Sequence, residues 1–301
     1  MLEIELNTLK FRNPLILASG ILDESGATML RVAQSGAGGI VTKSIGLEPR
    51  AGYPNPVVYE LPAMNGIINA VGLANPGIEN YEEELRIAKR GNVPIIGSIF
   101  GASTEEFVYL AKKMEEYGAD AIELNLSCPH AKGLGMEVGV DLELVEDIVT
   151  EVKNSVSIPV WAKLTPNTHA LLKIAEAAEK ADAYVLINTV RGMAIDIDAR
   201  MPVLSNKYGG LSGPCIKPVG LRAVYEVKAN IDKPVVGVGG IVSGRDALEY
   251  IMAGASAVEL GTAVYYYGLE VFSRIADEMR AWLVENKIEN IAELVGAAQR
   301  R

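Results

Sequence analysis

The stretch from Pro94 to Ile122 decides the fold: Pro94-Ile95-Ile96, then Ser103–Tyr117, then Gly118-Ala119-Asp120-Ala121-Ile122. Proline is tolerated at the first residue of a strand, where its missing N–H is not needed. Ser103 or Thr104 is suited to cap a helix, with Glu105 and Glu106 in the first turn. Phe107, Leu110, Ala111 and Met114 fall on one face of that helix. Gly118 fits just past its end, where the chain needs a left-handed residue. The segment reads as strand, helix, strand.

The same unit recurs along the chain. Pro14-Leu15-Ile16-Leu17, Pro159-Val160-Trp161 and Pro234-Val235-Val236 repeat the proline entry. Gly36-Ala37-Gly38-Gly39-Ile40-Val41, Ala181-Asp182-Ala183-Tyr184-Val185 and Gly254-Ala255-Ser256-Ala257-Val258 repeat the small-residue entry. The two sets alternate strictly, giving eight apolar runs too short for helices and suited to buried parallel strands. Asp141–Lys153, Thr168–Lys180 and Ser243–Ala253 carry helical patterns, the last with Ser243 as cap and Gly254 as stop. Alternating βα units predict an α/β fold, a (β/α)8 TIM barrel, as a single domain over residues 1–301. A doubly wound open sheet is the alternative. Two connections, Lys43 to Val93 and Thr189 to Lys233, are too long for simple βα links and rich in Gly and Pro. Long loops in a compact domain usually carry function, so they are expected to cover the C-terminal mouth of the barrel. The tail, Leu269–Arg301, is expected to be helical.

Composition narrows the partners. Across 301 residues the net charge is −10, which argues against nucleic acid, since phosphate contact needs a basic surface. No apolar run is long enough to span a membrane. Met1-Leu2-Glu3-Ile4-Glu5-Leu6 alternates apolar and acidic residues and reads as an edge strand, not a signal peptide. Cys128 and Cys215 make no disulfide framework, and no CxxC or His cluster suggests a metal. The expectation is a reduced, cytoplasmic protein.

In a TIM barrel, chemistry gathers at the C-terminal ends of the strands. Those ends read Ser19, Lys43, Ser98, Asn125, Lys163, Asn188, Gly239 and Gly261, all small, amide-bearing or cationic. Two lysines facing one mouth suggest an anionic ligand. Lys163 lies in the apolar frame Val160-Trp161-Ala162-Lys163-Leu164, which favours a functional lysine over a solvated loop charge. Gly239-Gly240, before Ser243-Gly244 and a helix, and Gly261-Thr262 follow the last two strands. Glycines let backbone N–H groups approach an anion, and this part of the barrel is its usual phosphate site. No Walker loop and no GxGxxG after the first strand is present, which disfavours P-loop or Rossmann nucleotide binding. Asn125-Leu126-Ser127-Cys128-Pro129-His130 places an amide and a thiol after a strand. The amide can donate to and accept from a planar polar ligand. The thiol can be a base, a nucleophile or a packed structural cysteine.

Taken together, the motifs resemble class 1 dihydroorotate dehydrogenases, and more narrowly the NAD-linked (1B) catalytic subunit. They are Ala18-Ser19-Gly20, Thr42-Lys43-Ser44, Asn69-Ala70-Val71-Gly72-Leu73-Ala74-Asn75-Pro76-Gly77, Asn125-Leu126-Ser127-Cys128-Pro129, Lys163-Leu164, Ile187-Asn188-Thr189, Gly209-Gly210-Leu211-Ser212-Gly213-Pro214, Gly239-Gly240 and Gly261-Thr262. Asn75-Pro76-Gly77 and Pro202-Val203-Leu204-Ser205-Asn206-Lys207 look more like the NAD-linked group than the fumarate-linked one. The resemblance implies FMN as the phosphorylated ligand and oxidation of (S)-dihydroorotate to orotate in pyrimidine biosynthesis. It implies Cys128 as the base that removes the C5 proton, and Lys163 as the cation beside the reacting flavin. Lys43, Asn69, Ala70, Val71, Gly72, Leu73, Asn125, Asn188 and Thr189 would line the substrate. Ser19, Lys43, Ser44, Ser98, Asn125, Lys163, Ile187, Gly213, Gly239, Gly240, Gly261 and Thr262 would hold FMN. At Ser98 the family often has asparagine. His130 is expected to face solvent and Cys215 to serve packing. The resemblance also implies a partner subunit carrying FAD and a [2Fe-2S] cluster, around a homodimeric core within a heterotetramer. Weighed beside it are a homodimeric enzyme linked to fumarate or another soluble acceptor, another FMN barrel acting on a dihydropyrimidine or dihydrouridine, and a non-catalytic flavin-binding barrel.

Overall fold

The computed structural model describes residues 1–126 and 138–300. The eight apolar runs become β1 (Leu15–Leu17), β2 (Gly39–Val41), β3 (Ile95–Ile99), β4 (Ala121–Asn125), β5 (Val160–Leu164), β6 (Ala183–Leu186), β7 (Val235–Val238) and β8 (Ala257–Leu260). Each pairs in parallel with its neighbours in chain order, and β8 returns to β1 to close a barrel. Closure excludes the open doubly wound sheet.

Helices follow the strands: α1 (Gly26–Gln34), α2 (Glu82–Ala88), α3 (Thr104–Glu116), α4 (Leu142–Ser155), α5 (Leu171–Ala177), α6 (Lys217–Asn230), α7 (Gly244–Ala253), α8 (Thr262–Tyr267) and α9 (Val271–Glu285). The caps are those the sequence suggests. Ser103, Asp141 and Ser243 each accept a first-turn N–H of α3, α4 and α7. Gly254 ends α7 with a φ of 125°. Helix α5 is shorter than the pattern Thr168–Lys180, because Ala170 stands at its N-cap position with no side-chain cap.

The strands are buried on both faces with a period of two, as a barrel wall requires. Ile122, Leu124, Val160, Ala162 and Leu164 point outward into the helical layer. Ile16, Val41, Ile96, Ala121, Trp161, Ala183, Val185, Val236 and Ala257 point inward and form a separate apolar plug. The N-terminal hairpin, Ile4–Leu6 paired with Leu9–Phe11, closes the bottom of that plug through Leu6 and Phe11. Asn7 of its turn accepts the Trp161 indole N–H at 2.9 Å.

The two long connections meet. Val58–Leu61 and Gly66–Asn69 come from the first, Val190–Gly192 and Gly209–Ser212 from the second, and together they form one four-stranded antiparallel sheet. The close approach requires glycine. A Cβ on Gly210 would lie 2.1 Å from the Thr189 hydroxyl. The first connection also contains α2, the ordinary barrel helix after β2, so only part of it is a cover.

Candidate active site

Above the apolar plug lies a cavity of about 330 Å³, within the size range of small-molecule sites. Its walls are the C-terminal ends of the barrel strands on one side and the four-stranded sheet on the other. Val58, Ile67, Asn69 and Ser212 are the sheet's contribution.

Ser19, Lys43, Ser44, Asn125, Lys163, Ile187, Asn188, Thr189, Gly213, Gly239, Gly240, Gly261 and Thr262 all line this cavity, as do Asn69, Val71, Gly72 and Leu73. Two expected contacts do not. Ala70 turns away and packs with Ile68 and Leu204 behind the sheet. Ser98 is fully buried below the cavity wall, where its hydroxyl lies 2.8 Å from that of Ser44. Ser127, Cys128, Pro129 and His130 lie outside the described residues. Cys215 is half-buried off the cavity lining, its Sγ 3.6 Å from the Ser212 carbonyl. Burial raises its thiol pKa.

A network of amides and hydroxyls orders the polar wall. Asn125 donates from Nδ2 to Ser44 Oγ at 3.1 Å, and Asn188 donates to Asn125 Oδ1 at 3.4 Å. The Thr189 N–H donates to Asn188 Oδ1 at 2.7 Å, which fixes that amide's orientation. Ser19 Oγ lies 3.2 Å from Ser44 Oγ. Such a wall presents donors and acceptors at fixed places, the arrangement a planar ring with several amide edges needs.

The two lysines differ. Lys43, at the end of β2, is half-buried and makes no ion pair among the described residues. The nearby Asp23 is buried, and burial raises its carboxyl pKa although Lys43 pulls it down. Lys163 is enclosed. Its Nζ lies 2.9 Å from Glu259 Oε2 and 3.3 Å from Glu123 Oε1, with both glutamate side chains 0% exposed. Burial opposes the charge of Lys163, yet the two carboxylates outweigh it and raise its pKa. Burial and the charge of Glu123 push the Glu259 carboxyl up to about 8, against the pull of Lys163.

Glu123 and Glu259 also line the cavity, and the strand-end reading missed them. Both sit two residues before a strand-end position, in the matching frames Ala121-Ile122-Glu123-Leu124 and Ala257-Val258-Glu259-Leu260. An acid inside a buried apolar strand was the available signal, because such a residue needs a partner.

The phosphate expectation is redistributed. The Val242 N–H donates to Asp246 at 3.1 Å and the Gly244 N–H to Glu278 at 2.6 Å, so carboxylates already occupy the start of α7. The remaining cradle is Gly239-Gly240 with Gly261-Thr262. Gly240 has a φ of 69°, and a Cβ there would lie 2.7 Å from the Gly213 carbonyl. Across from it the hydroxyls of Thr262 and Ser212 lie 2.9 Å apart.

Comparison with known proteins gives a single family. The dihydroorotate dehydrogenase family matches residues 1–283. The chain is 60% identical over 292 residues to the dihydroorotate dehydrogenase B (NAD(+)) catalytic subunit of Thermoplasma acidophilum, covering 97% of each chain. It is 52% identical over 301 residues to the catalytic subunit of the same name from Pyrococcus furiosus, covering 99% of each. With that of Methanocaldococcus jannaschii it shares 49% over 304 residues, 99% of this chain and 98% of the other. Among the described residues no helix is long and apolar enough to cross a membrane.

Proposed function

The chain belongs to the dihydroorotate dehydrogenase family, and from that premise we propose that the cavity holds FMN and (S)-dihydroorotate together, with Cys128 as the base. The enzyme is an oxidoreductase that converts dihydroorotate to orotate in pyrimidine biosynthesis, with electrons passing to NAD. The observation that supports the site assignment is the single cavity wall where an ordered amide network, a lysine with no ion pair among the described residues and a glycine cradle meet.

The residues present fit the flavin. Gly213, Gly239, Gly240, Gly261 and Thr262 line one part of the cavity as a cradle of small residues, where backbone N–H groups could approach a phosphate. Ser19, Lys43, Ser44, Asn125, Lys163 and Ile187 would hold the ring. Ala70 and Ser98 stand behind the residues that line the cavity. When bound, FMN supplies the two-electron acceptor for the hydride that leaves C6 of the substrate.

Lys43 pairs with the substrate carboxylate, since it is the cation at the wall with no carboxylate already on it among the described residues. A hydrogen-bonded pair with a charged group is worth about 1.5–3 kcal/mol. Asn69, Asn125, Asn188 and Thr189 orient the ring through its amide edges, and Val71, Gly72 and Leu73 close over it. The Cys128 thiolate takes the C5 proton onto its Sγ. An ordinary thiol titrates near ~8.5, so the rate rises with pH through that region. A partner subunit with FAD and a [2Fe-2S] cluster carries electrons onward, because this chain has no Rossmann fingerprint for a nicotinamide.

The test is release and replacement of the cofactor. Denatured protein should liberate FMN, and the intact isolated chain should reduce an artificial dye with dihydroorotate while reducing NAD poorly. FAD alone in the supernatant, or no flavin after reconstitution, overturns the cofactor assignment. Efficient NAD or fumarate reduction by the isolated chain overturns the partner assignment.

A further inference from the structure

The cavity floor is a charged layer laid across the barrel. Glu123 comes from β4 and Glu259 from β8, four strands away in either direction round the closed sheet, and Lys163 from β5 stands between them. Below the layer lies the apolar plug. Two oxygens in it, Glu123 Oε2 and Glu259 Oε1, are buried and have no hydrogen-bond partner among the described residues. With every group ionised, the layer would carry one negative charge more than Lys163 can balance, in a place where an unpaired buried carboxylate is costly. One added proton removes the excess and turns one orphaned oxygen into a donor.

We propose that Glu123 and Glu259 share a single proton, so that the floor under the flavin is neutral in the resting protein and the two glutamates act as positioning residues that set the charge Lys163 presents. The proposal rests on the flavin reading above. Two carboxyl groups held together titrate as a pair, and the pair here has its upper step near the pH to which Glu259 is pushed, about 8. The proton has a route to the cavity. Ser98 Oγ donates to Glu123 Oε1 at 3.3 Å and lies 2.8 Å from Ser44 Oγ, which in turn lies 3.2 Å from the half-buried Ser19. This gives Ser98 a part in the proposed proton route.

Among the described residues, no charged side chain other than Glu123, Lys163, Glu259 and Lys43 lines the cavity. The inward residues of the neighbouring walls, Ile16, Val41, Val185, Val236 and Val238, are apolar. Beyond the layer, the other charged side chain lining the cavity among the described residues is Lys43, with Asp23 near it. Above the upper step the floor becomes anionic and opposes the negative charge of a reduced flavin. A site that must be neutral to favour the reduced ring loses affinity for it by up to about tenfold per pH unit.

Infrared spectroscopy of the flavin-free protein tests the shared proton directly. The carbonyl stretch of a protonated carboxylic acid should be present at neutral pH and titrate away around pH ~8. It should vanish in both Glu259→Gln and Glu123→Gln, because the acid left behind pairs with Lys163 and ionises. A band that persists in Glu123→Gln, or no such band in the wild-type protein, overturns the proposal. If one variant fails to fold, the wild-type band and the other variant still decide. In the holoprotein, the reduction potential of bound FMN should fall more steeply above pH ~8 in the wild type than in Glu259→Gln; superimposable profiles also overturn it. Failure of the wild-type protein to bind flavin would sink the cofactor reading while leaving the infrared test intact.

Discussion

Lys43 and Lys163 stand at the rim and the floor of one cavity, and the two regions are built on different terms. At the rim, Lys43 is half-buried and makes no ion pair among the described residues. At the floor, Lys163 is enclosed by two carboxylates that no water reaches. A lysine with no partner can take one from the ligand. A lysine with two carboxylate partners keeps one of its three donors for a ligand, and whatever it does to that ligand it does as part of a layer. On the proposed reading, two lysines at strand ends divide the work: the rim would recognise the substrate and the floor would set the flavin's potential.

The first way to break that division is to ask where the base sits. If it is Cys128, Cys128→Ala should bind flavin normally and lose about 10²–10⁴ in the rate of flavin reduction by dihydroorotate. If a floor carboxylate is the base instead, the alanine variant keeps its rate and Glu259→Gln loses it. Rapid-mixing measurement of both variants separates the two outcomes.

Stability should separate the lysines next. Lys163→Met leaves two buried acids without their cation, and breaking such a pair costs about 3–5 kcal/mol. The triple change with Glu123→Gln and Glu259→Gln should recover most of the loss. Lys43→Ala should hardly move the denaturation midpoint, but should raise the dihydroorotate KM by about 10–100-fold, the loss of one charged hydrogen bond. Similar stability losses in both single variants would show that rim and floor do not differ in the way described.

The barrel was legible because a closed parallel sheet writes itself locally. Each of the eight strands is a short apolar run with its own entry residue, and Ser103, Asp141, Ser243 and Gly254 punctuate the helices where a side chain or a positive φ is needed. The rim was legible for the same reason: strand ends are sequence positions. The sheet over the mouth was not, because its strands come from loops more than a hundred residues apart and pair only in three dimensions. The floor was missed through the period of two. Reading only the last residue of each strand skips the inward residue beneath it, and there both acids lie.

A smaller effect follows from the floor's proton. The Glu259 carboxyl is pushed up to about 8 in the folded protein, against an ordinary value near ~4.3 in the unfolded chain. Between these values the folded state binds more protons, so this group's stability is fully present below ~4.3 and is lost as pH rises to about 8. The upward shift of Lys163 acts only above its ordinary ~10.4 and leaves that window untouched. Melting curves from pH ~5 to ~8 should therefore slope downward more in the wild type than in Glu259→Gln. Parallel slopes would place the proton elsewhere.

The smallest effect expected is at the second cysteine. Cys215 sits beside the rim without facing the cavity, and its Sγ rests against the Ser212 carbonyl while a Cβ on Gly66 would touch it at 2.7 Å. Burial raises its thiol pKa, which disfavours the thiolate that a base for a carbon acid needs. Removing one half-buried sulfur should cost about 1 kcal/mol or less of stability. Cys215→Ala should therefore keep the wild-type rate of flavin reduction and its pH dependence. If that variant instead lost activity on the scale expected for Cys128→Ala, the base would be the thiol of the turn that follows the covering sheet, and the rim would have to be extended to include it.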